Sequence, residues 1–257
     1  MNQIQPNSVI DRCVSTNDLV KVLAEAGHPH GTWMSTRIQE RGRGRLGRKW
    51  ACIEGNLFLS VLVRFESASL WSWTPLATAV GITRYLKIKF PALNLQIKWP
   101  NDLYLNGRKL GGILCEGAGR GSDSYIIIGI GLNCVDSPVG LDQETVALSH
   151  ACNSIVTADD VRQGIVCSVL QELDFLIKNR SSQKISDSYD KWAFFAPGTL
   201  VSWGVLEEHT GKVQGLGLSS ELNVILPSGE VKSLYAEDVK IRVRFANPDI
   251  PSLRNGL

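Results

Sequence analysis

Between residues 41 and 49 the chain reads Arg41-Gly42-Arg43-Gly44-Arg45-Leu46-Gly47-Arg48-Lys49, five cations and three glycines in nine positions. Like charges repel, and such a run has little apolar surface to bury, so it fits neither a core helix nor a core strand. Alone it would be a mobile loop, and the rest of the chain has to frame it. Its glycines leave backbone amides unobstructed, and its guanidiniums match phosphate and carboxylate in a two-pronged geometry. On this segment alone three readings stay open: a lid for a phosphate-bearing ligand, a nucleic-acid contact, or a solvated basic loop. No Phe or Tyr is interleaved, which weakens the case for single-strand binding. The formal net charge of the chain is only +2, so any basic function is local.

The flanking segments supply the frame. Residues 15–26 are predicted as a helix, with Ser15 or Thr16 accepting from the first-turn amides. Leu19, Val22, Leu23 and Ala26 fall on one face, and Gly27 ends the helix. Strands are expected at 32–38 and 56–64, and a helix from Pro75 to about residue 89. A short strand at 97–99 precedes strands at 102–105 and 109–116, which flank the hairpin signal Asn106-Gly107. A turn over 117–123 leads into a strand at 125–130. Thr157 and Asp160 resemble a capping box for a helix to about residue 178, and a shorter helix is expected at 185–192. After Ala196-Pro197-Gly198 the pattern changes to short strands at 199–203, 212–218, 221–226 and 231–235, with turns at 208–211 and 227–229. This divides the chain into residues 1–195 and a small, barrel-like all-β unit at 196–257.

With 257 residues, 44% of them hydrophobic, the chain has enough apolar side chain for a real core. No run of about 18 apolar residues exists, and the N-terminus has neither a basic start nor an apolar stretch, so neither a membrane span nor a secretory signal is expected. Six widely spaced cysteines form no C-x-x-C, and four histidines form no H-x₃-H pair. They read as reduced cytosolic thiols, with no protein-held metal. His28, His30, His150 and His209 fall in turn-like contexts and are expected to be exposed. Trp71, Trp73, Trp192 and Trp203 are expected in the core or at a domain interface.

Two further segments carry chemistry. Lys98-Trp99-Pro100-Asn101-Asp102 leaves an apolar strand through turn-forming residues, and Arg108-Lys109-Leu110-Gly111-Gly112 follows the hairpin. Lys109 begins a strand that otherwise reads as buried, and the glycines after it admit close approach of a ligand or another backbone. A lysine at the edge of an apolar floor is a good clamp for developing negative charge. Plain strand–turn–strand structure is the alternative. In Gly129-Ile130-Gly131-Leu132-Asn133 the glycines suggest a bulge, and Asn133 offers a donor and an acceptor to a planar ring. Neither a dinucleotide fingerprint nor a Walker loop is present.

Taken in order, these segments resemble the biotin–protein ligase family. The matching pieces are Ser15-Thr16-Asn17, Gly31-Thr32, Gln39 with residues 42–50, Asn56-Leu57, Lys98-Trp99-Pro100-Asn101-Asp102, the run from Arg108 to Leu114, and Gly129 to Asn133. Leu46 stands where the family often has another arginine. The resemblance implies an α+β fold: a mixed or antiparallel sheet with helices, like the catalytic domain of class II aminoacyl-tRNA synthetases, and a C-terminal SH3-like β barrel. It implies attack of the biotin carboxylate on the α-phosphate of MgATP, then transfer of biotin from biotinyl-5′-AMP to a lysine of a biotin carboxyl carrier domain. Ser15, Thr16 and Asn17 would bind the ureido ring, and Gln39, Gly42, Arg43, Gly44 and Arg45 would fold over biotin. Arg43 and Arg45 would hold the carboxylate and α-phosphate, and Arg48 the outgoing phosphates. Trp50 would pack near the adenine. Lys109, with Arg45 the catalytic pair, would bridge carboxylate and phosphate. Asn101 and Asp102 would lie near the phosphates and Mg2+, and Asn133 near the adenine. A cytoplasmic enzyme, a homodimer among its possible states, is expected, without specific DNA binding because the motifs begin at Ser15. Lipoate–protein ligase chemistry and a nucleic-acid-binding module are the competing readings.

Overall fold

One parallel pairing and five antiparallel ones build the main sheet, seen in a computed structural model that describes residues 5–65, 68–119, 124–204, 208–236 and 241–243. The chain divides into two units, Met1–Phe194 and Phe195–Leu257. In the first, β1 (Ser8–Cys13) leads into α1 (Thr16–Glu25) and β2 (Trp33–Gln39). Two short strands follow, β3 (Gly42–Arg43) and β4 (Lys49–Trp50), and then β5 (Leu57–Arg64) and α2 (Thr74–Lys89). The strands β6 (Leu95–Lys98), β7 (Asp102–Leu105), β8 (Arg108–Ala118) and β9 (Tyr125–Leu132) complete the sheet. The helices α3 (Leu148–Cys152), α4 (Ala158–Asn179) and α5 (Gln183–Trp192) close the unit. The sheet order is β1-β2-β5-β9-β8-β7-β6.

The unbroken burial of β5 shows how the sheet is covered. All residues from Leu57 to Val63 are buried, so both faces are packed. Leu62 joins Met34 and Ile127 beneath Val20, Leu23 and Ala24 of α1. Truncating Leu62 to Ala there would cost about 2–5 kcal/mol. Where α2 crosses α4, an added Cβ on Gly81 would meet the Val169 Cα at 2.8 Å. Ser168 Oγ donates to the Gly81 carbonyl at 2.8 Å across the same crossing.

Several expectations are corrected. The N-terminal strand β1 has no counterpart in the sequence reading. Its polar residues conceal it, and it exists because its ladder partner β2 is there. On α1 the inward residues are Val20, Leu23 and Ala24, whereas Val22 is 53% exposed. Ser15 occupies the N-cap position of α1 without a side-chain capping bond. Gln39, a distant residue, accepts from the Thr16 amide at 2.9 Å instead. No bulge occurs at Gly129 or Gly131. β9 keeps unbroken register with β5 and β8 along its whole length. The one irregularity in β8 pairing lies against β7, between Leu103 and Tyr104. His28 and His30 are half-buried, not exposed, and His30 Nε2 lies 3.0 Å from Asp174 Oδ1.

Other features follow the local chemistry. Asn106 and Gly107 both take positive φ, 51° and 76°, as the two-residue hairpin turn requires. Thr157 and Asp160 form a capping box on α4. Of the turn expected over 117–123, Gly117 and Ala118 belong to β8 instead. Residues 120–123 lie outside the described residues.

The second unit is a five-stranded antiparallel sheet, formed by β10 (Leu200–Trp203), β11 (His209–Leu216), β12 (Leu222–Ile225), β13 (Val231–Leu234) and β14 (Arg242–Val243). Its order is β13-β12-β11-β10-β14. The turn expected at 208–211 is corrected: His209, Thr210 and Gly211 are already paired with β10, and 205–207 lie outside the described residues. The α+β class, a large mixed sheet with helices, therefore holds for the chain. No helix of the described residues is long and apolar enough to cross a membrane.

Candidate active site

The face of the sheet beneath α1 also forms the floor of an open cleft. Register brings Phe58, Gly131, Gly112 and Asp102 onto one rung across four strands. Ser60, Gly129 and Leu114 form the next rung. Neither rung fills with side chains at its centre, because three of these positions are glycine. A Cβ on Gly131 would overlap the Trp50 ring, and one on Gly112 would lie 3.1 Å from Trp50 Cζ3. The indole of β4 thus rests on a bed of two glycines. A Cβ on Gly129 would lie 2.5 Å from Asn17 Oδ1, so that glycine admits the amide of α1.

The first turn of α1 enters the cleft buried but polar. Ser15, Thr16 and Asn17 are each under 5% exposed. Ser60 Oγ, wholly buried, donates to Asn17 Oδ1 at 2.5 Å and lies 2.7 Å from Thr16 Oγ1. Asn17 Nδ2 donates to Glu116 Oε2 at 2.5 Å, which fixes the amide orientation. Thr16 Oγ1 donates to Gln39 Oε1 at 3.2 Å. Buried polar groups so fully paired form a rigid recognition surface for a polar ring.

The basic run folds over this floor. β3 and β4 pair with each other, Gly42 with Trp50 and Arg43 with Lys49, and a 3-10 turn at Arg45–Gly47 joins them. Leu46 takes φ 57° and is 77% exposed at the tip. Gly42 is the pivot of this fold, since a side chain there would meet the Trp50 carbonyl at 2.6 Å and Gln39 Nε2 at 3.0 Å. Arg43 donates to both oxygens of Asp18, at 3.0 and 2.7 Å, and Nη2 lies 3.4 Å from Glu116 Oε2. These bonds to Asp18, reinforced by Glu116, hold the guanidinium's pKa above its ordinary range. Arg45 donates to Asn101 Oδ1 at 3.2 Å, and Arg48 Nε donates to the Arg45 carbonyl at 3.2 Å.

Lys109 is placed by backbone on two sides. It pairs with Tyr104 of β7, and its amide donates to the Glu144 carbonyl at 2.9 Å. Its ammonium lies 2.8 Å from Asp102 Oδ1 and 5.6 Å from the Trp50 ring centroid. Asn101 Nδ2 donates to the Ile113 carbonyl at 2.6 Å, and Asn133 Nδ2 to the Val146 carbonyl at 3.2 Å.

One cleft, enclosing about 990 Å³ out to its open mouth, is lined by Ser15, Thr16, Asn17, Gln39, Arg43, Gly44, Arg45, Arg48, Trp50, Asn101, Asp102, Lys109 and Asn133. Of the residues given a binding or catalytic role from the sequence, Gly42 alone is not in the lining. Ser60 and Glu116, which orient Asn17, escaped sequence reasoning, since a serine and a glutamate within strands carry no local signal. The wall segment Pro138, Leu141, Gln143 and Thr145 also escaped it.

Residues 9–133 match the model of the biotin/lipoate A/B protein ligase family. Over 188 residues the chain is 32% identical to the biotin–[acetyl-CoA-carboxylase] ligase of Mycobacterium tuberculosis, an alignment covering 70% of this chain and 68% of that protein. The chain belongs to the biotin–protein ligase family. The enzyme of the same name from Paracoccus denitrificans is 35% identical over 134 residues, 51% of this chain and 55% of that one. A biotin protein ligase from Aquifex aeolicus, solved in complex with biotin and ATP, superposes with a TM-score of 0.77 at 24% identity, covering 92% of this chain and 98% of that chain. For this biotin–protein ligase family member, that likeness establishes a shared fold.

Proposed function

We propose that the protein activates biotin with ATP and transfers it to a lysine of a biotin carboxyl carrier domain. In the first step a biotin carboxylate oxygen bonds to the α-phosphorus, and the bond to the β-phosphate oxygen breaks, releasing pyrophosphate. In the second, the acceptor amine attacks the acyl carbon of biotinyl-5′-AMP, loses a proton, and AMP leaves. Attack of one anion on another needs neutralising charge and fixed alignment far more than covalent help.

One observation carries the reading: a rigid polar pocket, a cationic glycine lid and a strand-borne lysine line one cleft. Ser15, Thr16 and Asn17 take the ureido ring, and the donors and acceptors of Thr16 and Asn17 are preset by Gln39, Ser60 and Glu116. Arg45 and Lys109 meet the carboxylate and α-phosphate, and Arg48 the departing phosphates. Trp50 stacks on the adenine from its glycine bed, with Asn133 at the ring edge. Gln39 and the lid from Gly42 to Arg45 cover the biotin and keep water from the mixed anhydride.

Asp102 is the carboxylate among the cleft-lining residues, and Mg2+ fits a site of one carboxylate completed by substrate phosphates. Asp102, with Asn101 beside it, would hold the ion, which supplies charge neutralisation on the phosphates. The finer fold reading, a synthetase-like catalytic unit over residues 1–195 and an SH3-like barrel over 196–257, is part of the same proposal. The strand-only pattern of the second unit supports it. Six free cysteines fit a reducing cytoplasm.

The test is transfer of labelled biotin to a purified carrier domain with MgATP, run beside labelled lipoate. Biotin-selective, ATP-dependent labelling of one lysine supports the reading. Preference for lipoate would assign the chain to the other half of the matched family.

A further inference from the structure

Arg43 belongs to the lid, yet its guanidinium is turned to the protein. Two of its nitrogens grip both carboxylate oxygens of Asp18 at 2.7 and 3.0 Å, and Glu116 stands 3.4 Å away. One positive charge facing two negative ones leaves a local sum of −1, so this cation adds little net attraction for an incoming anion. A two-pronged Arg–carboxylate pair is instead a geometric fastener. Asp18 follows Asn17 on the first turn of α1, and Glu116 also accepts from Asn17 Nδ2. The fastener and the ring-reading amide therefore share one carboxylate.

Resting on the function proposed above, we propose that Asp18 is a positioning residue that latches the lid through Arg43, and that this latch sets how long biotinyl-5′-AMP is retained. Closing the lid brings Arg43 onto Asp18, which holds Arg45 and Arg48 over the cleft. Opening the lid requires the fork to break. Arg43 therefore acts on retention through Asp18 and not by touching the ligand's phosphate. A ligand that seats against Asn17 steadies Glu116, and so the second carboxylate facing Arg43.

The experiment uses the full chain, loaded with labelled biotin and MgATP and then chased with unlabelled biotin, to measure adenylate release. D18N, R43Q, the D18N/R43Q double variant and D18E are compared with wild type. Each single variant is expected to release the adenylate about three- to tenfold faster, the range of a partly exposed fork pair. The double variant should be no faster than either single one, and D18E should return toward wild type. Adenylate formation by D18N at saturating substrates should be unchanged, as should its urea midpoint, because Asp18 is half exposed. Unchanged release by D18N overturns the latch. So does a much larger effect of R43Q that multiplies in the double variant, which would place Arg43 on the ligand itself. If wild type forms no adenylate at all, the proposed function fails and the latch with it. If wild type forms and retains it while D18N matches it, only the latch fails.

Discussion

Lys109 Nζ lies 2.8 Å from Asp102 Oδ1 on the cleft floor, with the two side chains 12% and 22% exposed. The pair joins the first strand of the β7–β8 hairpin to the second, so the ammonium is held in place before any phosphate arrives. Removing it should hurt chemistry more than folding. We expect K109A to slow adenylate formation about 100-fold or more, the scale of losing one preorganised electrostatic partner. Stability should fall by no more than about 1–2 kcal/mol, because Asp102 keeps contact with water. Single-turnover kinetics and urea unfolding on the same preparation check both. Wild-type rates of adenylate formation in K109A would remove Lys109 from the mechanism.

The two glycines of β9 should separate the two halves of the cleft. G131A drives a methyl group into the Trp50 indole, and G129A drives one toward Asn17 Oδ1. Such overpacking costs about 1–3 kcal/mol at the site. G131A should raise the KM for ATP with little change for biotin, and G129A should do the reverse. Identical effects on both substrates would mean that the glycines serve the sheet and not the ligands.

Gln39 caps α1 from a distance. Q39A removes the acceptor of the Thr16 amide and hydroxyl, and should cost about 1 kcal/mol of stability. It should also weaken biotin binding, since Thr16 loses its fixed partner. Calorimetry with biotin and a urea titration of Q39A measure the two effects. A stability loss with full biotin affinity would confine Gln39 to the fold.

How much of this was legible in the sequence depends on the range of the forces involved. The Asn106-Gly107 turn and the Thr157–Asp160 box are local chemistry, and both stand where the residues place them. Lys109, Trp50 and Asn17 drew notice through motif order, and the fold gathers them in one cleft. The β9 glycines read locally as a bulge, but their reason is tertiary: an indole and an amide arrive from β4 and α1. Gln39 as the cap of α1 and Glu116 as the support of Asn17 are contacts across 23 and 99 residues, which no window of sequence contains. β1 was missed because its pattern is polar, and its pairing with β2 makes it a strand.

The capping box of α4 is a source of acid sensitivity. Backbone and side-chain hydrogen bonds from Thr157 hold the Asp160 carboxyl below the usual carboxylate range. A depressed folded pKa gives stability that is present above the unfolded value near about 4 and lost as pH falls through the folded one. Thermal midpoints between pH 6 and pH 2 should therefore drop less steeply at the acid end for D160N than for wild type. Parallel curves would show that the capping box does not carry this dependence.

In the proposed reaction this cleft joins a carboxylate to a nucleotide's α-phosphate. Biotin-dependent exchange of labelled pyrophosphate into ATP, with magnesium present and no acceptor protein, measures that step alone. The expected result is exchange that requires biotin, is not supported by lipoate, and falls about 100-fold or more in K109A. Exchange without biotin dependence, or none from the folded wild-type chain, would contradict it.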